Sequence, residues 1–295
     1  MGASAEFLVG VLGNITGVCL FVAPATTFYR IFKKKATDSF SAIPYLCTLL
    51  NCVLWLLYGM PFVTKNGVLI MTINGIGAIL EMCYLSIFMK YAAKPGKIHT
   101  AKVGGTLGVF FIVVVLVVVF ATHHLHARHT IVGILCVIIT IVMYAAPLSV
   151  MRVVIKTKSV EYMPLPLSVM VLLNSAAWSA YALLKKDIYI MIPNFFGVVL
   201  GIGQLILYWW YYGAPKPTLQ EELEMGQKSA QQGSNELPPG ALDVSNPSDV
   251  HSSNMESVSL KDSSSVETKI SGSPTRGSTL PAYSTIAFSS HNLRS

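Results

Sequence analysis

Seven stretches of this chain, 7–29, 41–64, 66–89, 103–122, 130–151, 164–184 and 188–212, carry almost no charge, Glu81 in the third being the one exception. An α-helix needs about twenty apolar residues to cross the hydrocarbon of a bilayer. Only helices and closed barrels cross it with every backbone polar group satisfied. The chain therefore reads as an all-α polytopic membrane protein with seven transmembrane helices. Charged residues make up only 12% of its 295 residues, about half the share usual in soluble domains. The net charge of +7 does not argue for a nucleic-acid partner, because the basic residues sit in short loops. Eleven Lys and Arg residues lie in the loops 30–40, 90–102 and 152–163, against four in the opposite loops. The excess of positive charge marks the cytoplasmic side, so the N-terminus is expected outside and the C-terminus inside. No basic residue precedes the first apolar stretch, which is longer than a signal h-region and is expected to be retained.

The chain repeats itself. Asn51-x-x-x-Trp55-x-x-Tyr58 returns 123 positions later as Asn174-x-x-x-Trp178-x-x-Tyr181. At the same offset Ala23-Pro24 matches Ala146-Pro147, Lys33 and Lys35 match Lys156 and Lys158, and Asp38 matches Glu161. The offset becomes 120 where Pro44 pairs with Pro164 and Asn74 with Asn194. This gives two three-helix repeats, 7–91 and 130–212, joined by a linker helix at 103–122 that matches neither. An odd connector lets both repeats insert in the same orientation, a 3+1+3 layout of parallel repeats.

Residues three and four apart share a helix face. Each copy of the motif thus presents an amide, an indole and a phenol along one stripe. Rings pack on the C–H faces of a polyhydroxylated ligand and amides bond its hydroxyls. A single stripe is better explained as glue between membrane helices; two copies at one depth favour a binding chamber. At about 1.5 Å of rise per residue, Asn51, Trp55, Asn74, Asn174, Trp178 and Asn194 fall in a layer on the order of 10 Å thick, near mid-membrane. Pro24, Pro44, Pro147 and Pro164 lie together on the cytoplasmic side of that layer. Pro24 and Pro147 fall inside helices, where proline removes a hydrogen bond and permits a kink. The four read as a hinge ring for an inner gate.

Other residues have plainer readings. Glu81 is an intramembrane carboxylate without a matching basic residue, and is expected to be a hydrogen-bonded structural acid rather than a proton-coupling site. His123, His124, His126 and His129 read as a solvated loop. Cys19, Cys47, Cys52, Cys83 and Cys136 are odd in number and lack metal spacing, so they read as small buried hydrophobes. No phosphate loop, metal-ligand spacing or nucleophile–base arrangement stands out. Neither a metal nor a cofactor is expected, and the chain is not read as an enzyme. From Gly213 the composition turns to Ser, Gly, Pro, Gln and Asn, which reads as a disordered cytoplasmic tail over 213–295.

The residues that carry a family resemblance run through 7–212. They are Gly13-Asn14, Ala23-Pro24 with Thr27-Phe28, Pro44-Tyr45 with Leu50-Asn51-Cys52, Tyr58-Gly59 and Thr72-Ile73-Asn74-Gly75. Met143-Tyr144-Ala145-Ala146-Pro147-Leu148, Lys156-Thr157-Lys158-Ser159-Val160-Glu161, Ile192-Pro193-Asn194 and Gln204-Leu205-Ile206-Leu207-Tyr208 complete the set. In this order the chain resembles the plant SWEET sugar transporters of the MtN3/saliva type. The resemblance implies bidirectional, uncoupled sugar transport by alternating access. It implies that Asn74 and Asn194 bond sugar hydroxyls, that Trp178 stacks on the ring, and that Trp55, Asn51 and Asn174 complete the pocket. The four prolines look like the family's proline tetrad, and Tyr58, Tyr181 and Asp187 fall where its outer gate is expected. Asn at both 51 and 174 looks like the hexose-carrying branches, and an amide there fills space that a disaccharide needs. The resemblance also implies a sugar substrate, homo- and hetero-oligomers with related transporters, and a place in the plasma membrane, with the vacuolar membrane as the alternative. The competing readings are a sucrose-selective carrier, a proton-coupled solute transporter and a seven-helix receptor.

Overall fold

Proline and glycine punctuate the helices. The computed structural model describes residues 2–38 and 40–213. The first span is two helices, α1 (Gly2–Val22) and α2 (Ala25–Lys34). Pro24 has no N–H to offer the Leu20 carbonyl, which accepts from Ala23 instead. α3 (Ile43–Gly59), α4 (Val68–Tyr91) and α5 (Lys94–Leu116) follow, α5 ending in a π-helical turn, Val117–Ala121. The second repeat holds α6 (Leu125–Met143), α7 (Ala145–Thr157), α8 (Leu165–Lys185) and α9 (Ile188–Tyr211). α6 and α7 break at Tyr144, as α1 and α2 break at Pro24. The backbone repeats even where residues do not. Lys35 and Lys158 are both left-handed, at φ 56° and 51°, and so are Asn66 and Lys186, at 57° and 55°.

Among the described residues, six spans are long and apolar enough to cross a membrane, with the shorter apolar helix Ile43–Gly59 beside them. These make the seven helices of the 3+1+3 layout. α3 is shorter than the apolar window 41–64. Pro61 forces the residue before it out of helical geometry, and Met60 is extended at ψ 144°. Val63 and Thr64 are buried in the loop that results. The linker helix begins at Lys94, nine residues before the apolar window, because its first turns are polar but helical, with Pro95 tolerated near the start. Of the tail expected to be disordered, 213–295, residues 214–295 lie outside the described residues, as does Ser39.

The spans form a ring. α1 packs against α4 of its own repeat and α8 of the other; α3 packs against α4 and α6; α9 closes onto α6 and α8. The linker α5 lies on α3. Two seams therefore join the repeats, α1 with α8 and α3 with α6. Small residues let rings approach at equivalent places. A Cβ on Gly10 would meet the Tyr181 ring, and one on Gly133 the Tyr189 ring. A Cβ on Gly77 would sit 2.5 Å from the Phe21 ring and 2.9 Å from Cys52 Sγ. The matching Gly197 faces Tyr144 and Ser175, their partners in the repeat.

The outward surface is apolar. Phe7, Leu12, Ile79, Phe120, Phe195 and Ile206 are all exposed, as suits lipid contact. Cys52 and Cys136 are fully buried as expected, but Cys19 and Cys83 are on the exposed surface. One core cluster spans both repeats and includes Trp55, Tyr58, Trp178, Tyr181 and Ile190. A second belongs to the first repeat alone, where Phe28 stacks on Tyr84 at 4.5 Å and meets Tyr45 edge-on at 4.8 Å. The matching positions in the second repeat are Met151, Gln204 and Leu165, so that half lacks the aromatic lock.

Gly77→Val should destabilise the protein by about 1–3 kcal/mol through overpacking. Gly108→Ala, which meets nothing within 4 Å, should be neutral or stabilising by up to about 1 kcal/mol. Thermal unfolding in detergent separates the two.

Candidate functional site

Membrane burial leaves an amide no water to bond, so each must find a partner within the protein. Asn51 and Trp55 are one turn apart on α3. The Thr140 hydroxyl of α6 takes a hydrogen bond from Trp55 Nε1 at 3.1 Å and lies 2.8 Å from Asn51 Oδ1. On the other seam the Thr16 hydroxyl of α1 lies 3.0 Å from Asn174 Oδ1 of α8. Trp178, one turn along α8, lies against Gly13, where a Cβ would come within 2.9 Å of its indole nitrogen. Both tryptophans are buried at 8% exposure, while Asn51, Asn74, Asn174 and Asn194 are half-buried. Asn74 and Asn194 each donate through Nδ2 to the carbonyl one turn back on their own helix, Ile70 and Ile190, at 2.8 Å. The structure thus couples Asn51 with Trp55 across one seam and sets Asn174 and Trp178 against α1 across the other. Thr140 and Thr16, which hold these amides, were not picked out by the sequence.

A second polar layer closes the end of the ring near Asp187. Asp187 caps α9, accepting from the backbone N–H of Tyr189 at 3.1 Å and of Ile190 at 3.3 Å. Its carboxylate accepts from Tyr58 Oη at 2.8 Å, joining α3 of one repeat to α9 of the other. Tyr58 Oη also lies 2.7 Å from His129 Nε2, which is 3.5 Å from Asp187 Oδ2. His129 is on the first turns of α6, not in a solvated loop as the sequence suggested. The Tyr58, Tyr189 and His129 rings pack together there, so an exposed position on the chain became part of a buried corner. His123 and His124 do precede the helix. Among the described residues, no group of three or more His, Cys, Asp or Glu side chains could hold a metal.

Tyr181, the repeat partner of Tyr58, stands at a second corner. Lys185 Nζ donates to Tyr181 Oη at 3.1 Å and to the Asn66 carbonyl at 2.6 Å, and lies 4.0 Å from Glu6. Glu6 occupies the repeat position of His129. His129 on one corner is thus exchanged for Glu6 on the other, an exchange that the 123-residue offset could have revealed.

The prolines sit at the opposite end from Asp187. Pro24 caps α2 at φ −69°, Pro44 opens α3, Pro147 is in the first turn of α7, and Pro164 caps α8 at φ −60°. Glu81 is buried at 3% exposure, yet its Oε2 has no hydrogen-bond partner among the described residues. It is a buried acid, but this oxygen is not hydrogen-bonded as expected.

Residues 7–96 and 130–216 match the family described as a sugar efflux transporter for intercellular exchange, MtN3/saliva. The chain belongs to the SWEET family. It is 48% identical over 218 residues to the rice (Oryza sativa subsp. japonica) bidirectional sugar transporter SWEET7b, covering 74% of this chain and 82% of that one. It is 44% identical over 217 residues to Arabidopsis thaliana SWEET7, covering 72% and 83%. A solved structure of a eukaryotic SWEET transporter superposes with a TM-score of 0.69 at 39% identity, covering 71% of this chain and 98% of that one. SWEET proteins are membrane transporters rather than enzymes, and the two matched blocks are the two repeats of the ring.

Burial pushes the Asp187 carboxyl up, but the bonds from His129 and Tyr58, the His129 charge and the Ile190 amide together hold it below the ordinary aspartate value. A lowered folded value means stabilisation that is fully present above the unfolded value and is lost as pH falls through the folded one. Asp187→Asn should therefore cost about 1–3 kcal/mol at neutral pH. In unfolding scans across pH, its gap to the wild type should persist at pH 5 and close only under stronger acid.

Proposed function

We propose that the chain is a bidirectional, uncoupled carrier of monosaccharides such as glucose or fructose, working by alternating access. The observation that carries this reading is the pairing of Asn51–Trp55 with Asn174–Trp178 across the two seams, the amides half-buried and the indoles buried between apolar walls. Asn74 and Asn194 bond sugar hydroxyls, Trp178 stacks on the ring, and Trp55, Asn51 and Asn174 complete the chamber. Asparagine at 51 and 174 narrows it toward one ring. Tyr58, Tyr181 and Asp187 act as the gate at one end. Pro24, Pro44, Pro147 and Pro164 act as hinges at the other, where the helix breaks at Pro24 and Tyr144 let each repeat bend.

Several features support rocking of one repeat against the other. The bonds that cross the seams gather in the amide layer and at the Asp187 end. At the proline end the aromatic cluster belongs to one repeat alone. That distribution suits a state closed beside Asp187. The positive loops support an N-terminus outside and a C-terminus in the cytoplasm, and the plasma membrane is the location proposed. The relatives named as bidirectional sugar transporters support the substrate class. Association into homo- and hetero-oligomers is part of the proposal, with the exposed apolar flanks available for it. The uncoupled reading is supported by Glu81, whose Oε2 has no hydrogen-bond partner among the described residues.

Purified protein in liposomes should equilibrate labelled glucose or fructose without accumulating either, with or without a pH gradient. Asn74→Ala and Asn194→Ala should each reduce flux at least tenfold, the order expected when a buried polar contact is lost, while reconstitution stays normal. Transport of sucrose but not of hexoses would overturn the monosaccharide reading, and flux that collapses in Glu81→Gln would overturn the uncoupled one.

A further inference from the structure

The two halves of the amide layer are held differently. Thr140 stands at the repeat position of Gly17, and Thr16 is one residue out of step with it. Thr16 reaches Asn174, yet its hydroxyl also lies 2.9 Å from the Leu12 carbonyl and 3.1 Å from that of Gly13. The Trp178 indole on that side is positioned by its fit against the bare backbone of Gly13. Thr140 instead serves two side chains at once. Its oxygen accepts from Trp55 Nε1 and its proton faces Asn51 Oδ1, with the Cys136 carbonyl at 2.8 Å as the alternative acceptor.

Amide polarity follows from these bonds. A primary amide has one acceptor oxygen and two donor hydrogens. Where Oδ1 is engaged, as at Asn51 and Asn174, the Nδ2 hydrogens remain for a ligand. Where Nδ2 is engaged, as at Asn74 and Asn194, the oxygen remains. The chamber then offers donors from one pair of helices and acceptors from the other. Such a pattern matches a hydroxyl-rich ring, whose oxygens both give and take hydrogen bonds.

Building on the chamber assigned under the proposed function, we infer that Thr140 is a positioning residue for sugar recognition. It holds Asn51 with its Nδ2 hydrogens toward the substrate and locks the Trp55 indole in place through one hydroxyl. It touches neither the proline breaks nor the Asp187 corner.

The test compares Thr140→Val, which keeps the shape and removes the hydroxyl, with Thr140→Ser, which keeps the hydroxyl. In proteoliposomes Thr140→Val should raise the glucose KM about tenfold, the scale of one orphaned buried acceptor, and change kcat less than twofold. Thr140→Ser should restore the wild-type KM. In an Asn51→Ala background Thr140→Val should raise KM by less than it does alone, the remainder coming from the freed Trp55 indole, as expected for residues that share a contact. An unchanged KM in Thr140→Val overturns the inference, as does a serine variant as impaired as valine. A second readout stands apart from transport. In a protein whose only tryptophan is Trp55, the indole N–H band in resonance Raman should shift in Thr140→Val and not in Thr140→Ser or Thr16→Val. If the wild type moves no sugar, the proposed function fails, and this band still decides the Thr140 contact. Should the valine variant not fold, Thr140→Ala replaces it in both measurements.

Discussion

Polar groups inside an apolar bilayer have no solvent to fall back on. In this protein that constraint joins the two repeats. Each seam is a contact between apolar helices with a polar thread in the amide layer: Thr16 with Asn174 on one, Thr140 with Asn51 and Trp55 on the other. Apolar packing alone would let the helices slide, because lipid tails are as good a neighbour as leucine. The threads fix the helices in depth and register, and they bring Asn51 and Asn174 to the same level of the ring.

The symmetry is in the backbone more than in the chemistry. Left-handed turns fall at Lys35 and Lys158 and at Asn66 and Lys186. Close ring approaches fall at Gly10 and Gly133 and at Gly77 and Gly197. The side chains laid on this frame have diverged. Phe28, Tyr45 and Tyr84 form an aromatic lock in one repeat, while the other has Met151, Leu165 and Gln204 in their places. A ring of this kind has one stiffer wall and one looser wall at its proline end.

Much of this was legible in the sequence because the signals were local. Apolar length gave the spans, and the offset between Asn-x-x-x-Trp-x-x-Tyr stripes gave the repeats. What was not legible depended on partners distant in the chain. Thr140 sits among Ile and Val, where a threonine looks like a β-branched filler until Asn51 is found beside it. His129 looked like one of several loop histidines; only the arrival of Tyr58 and Asp187 makes it part of a corner. Helix ends were misjudged for a simpler reason. Apolar character continues past Gly59, but Pro61 ends the helix regardless, and α5 begins in a polar stretch that apolar windows do not detect.

The exchange of Glu6 for His129 at equivalent corners bears on how such a chain could have been assembled. Two copies of the second half would place histidine and aspartate beside a tyrosine at both corners. Two copies of the first would place glutamate there, with Gly67 where the aspartate belongs. A bare duplicate of the second half would therefore repeat the tyrosine–histidine–aspartate corner at both seams, while the fused chain carries it at one.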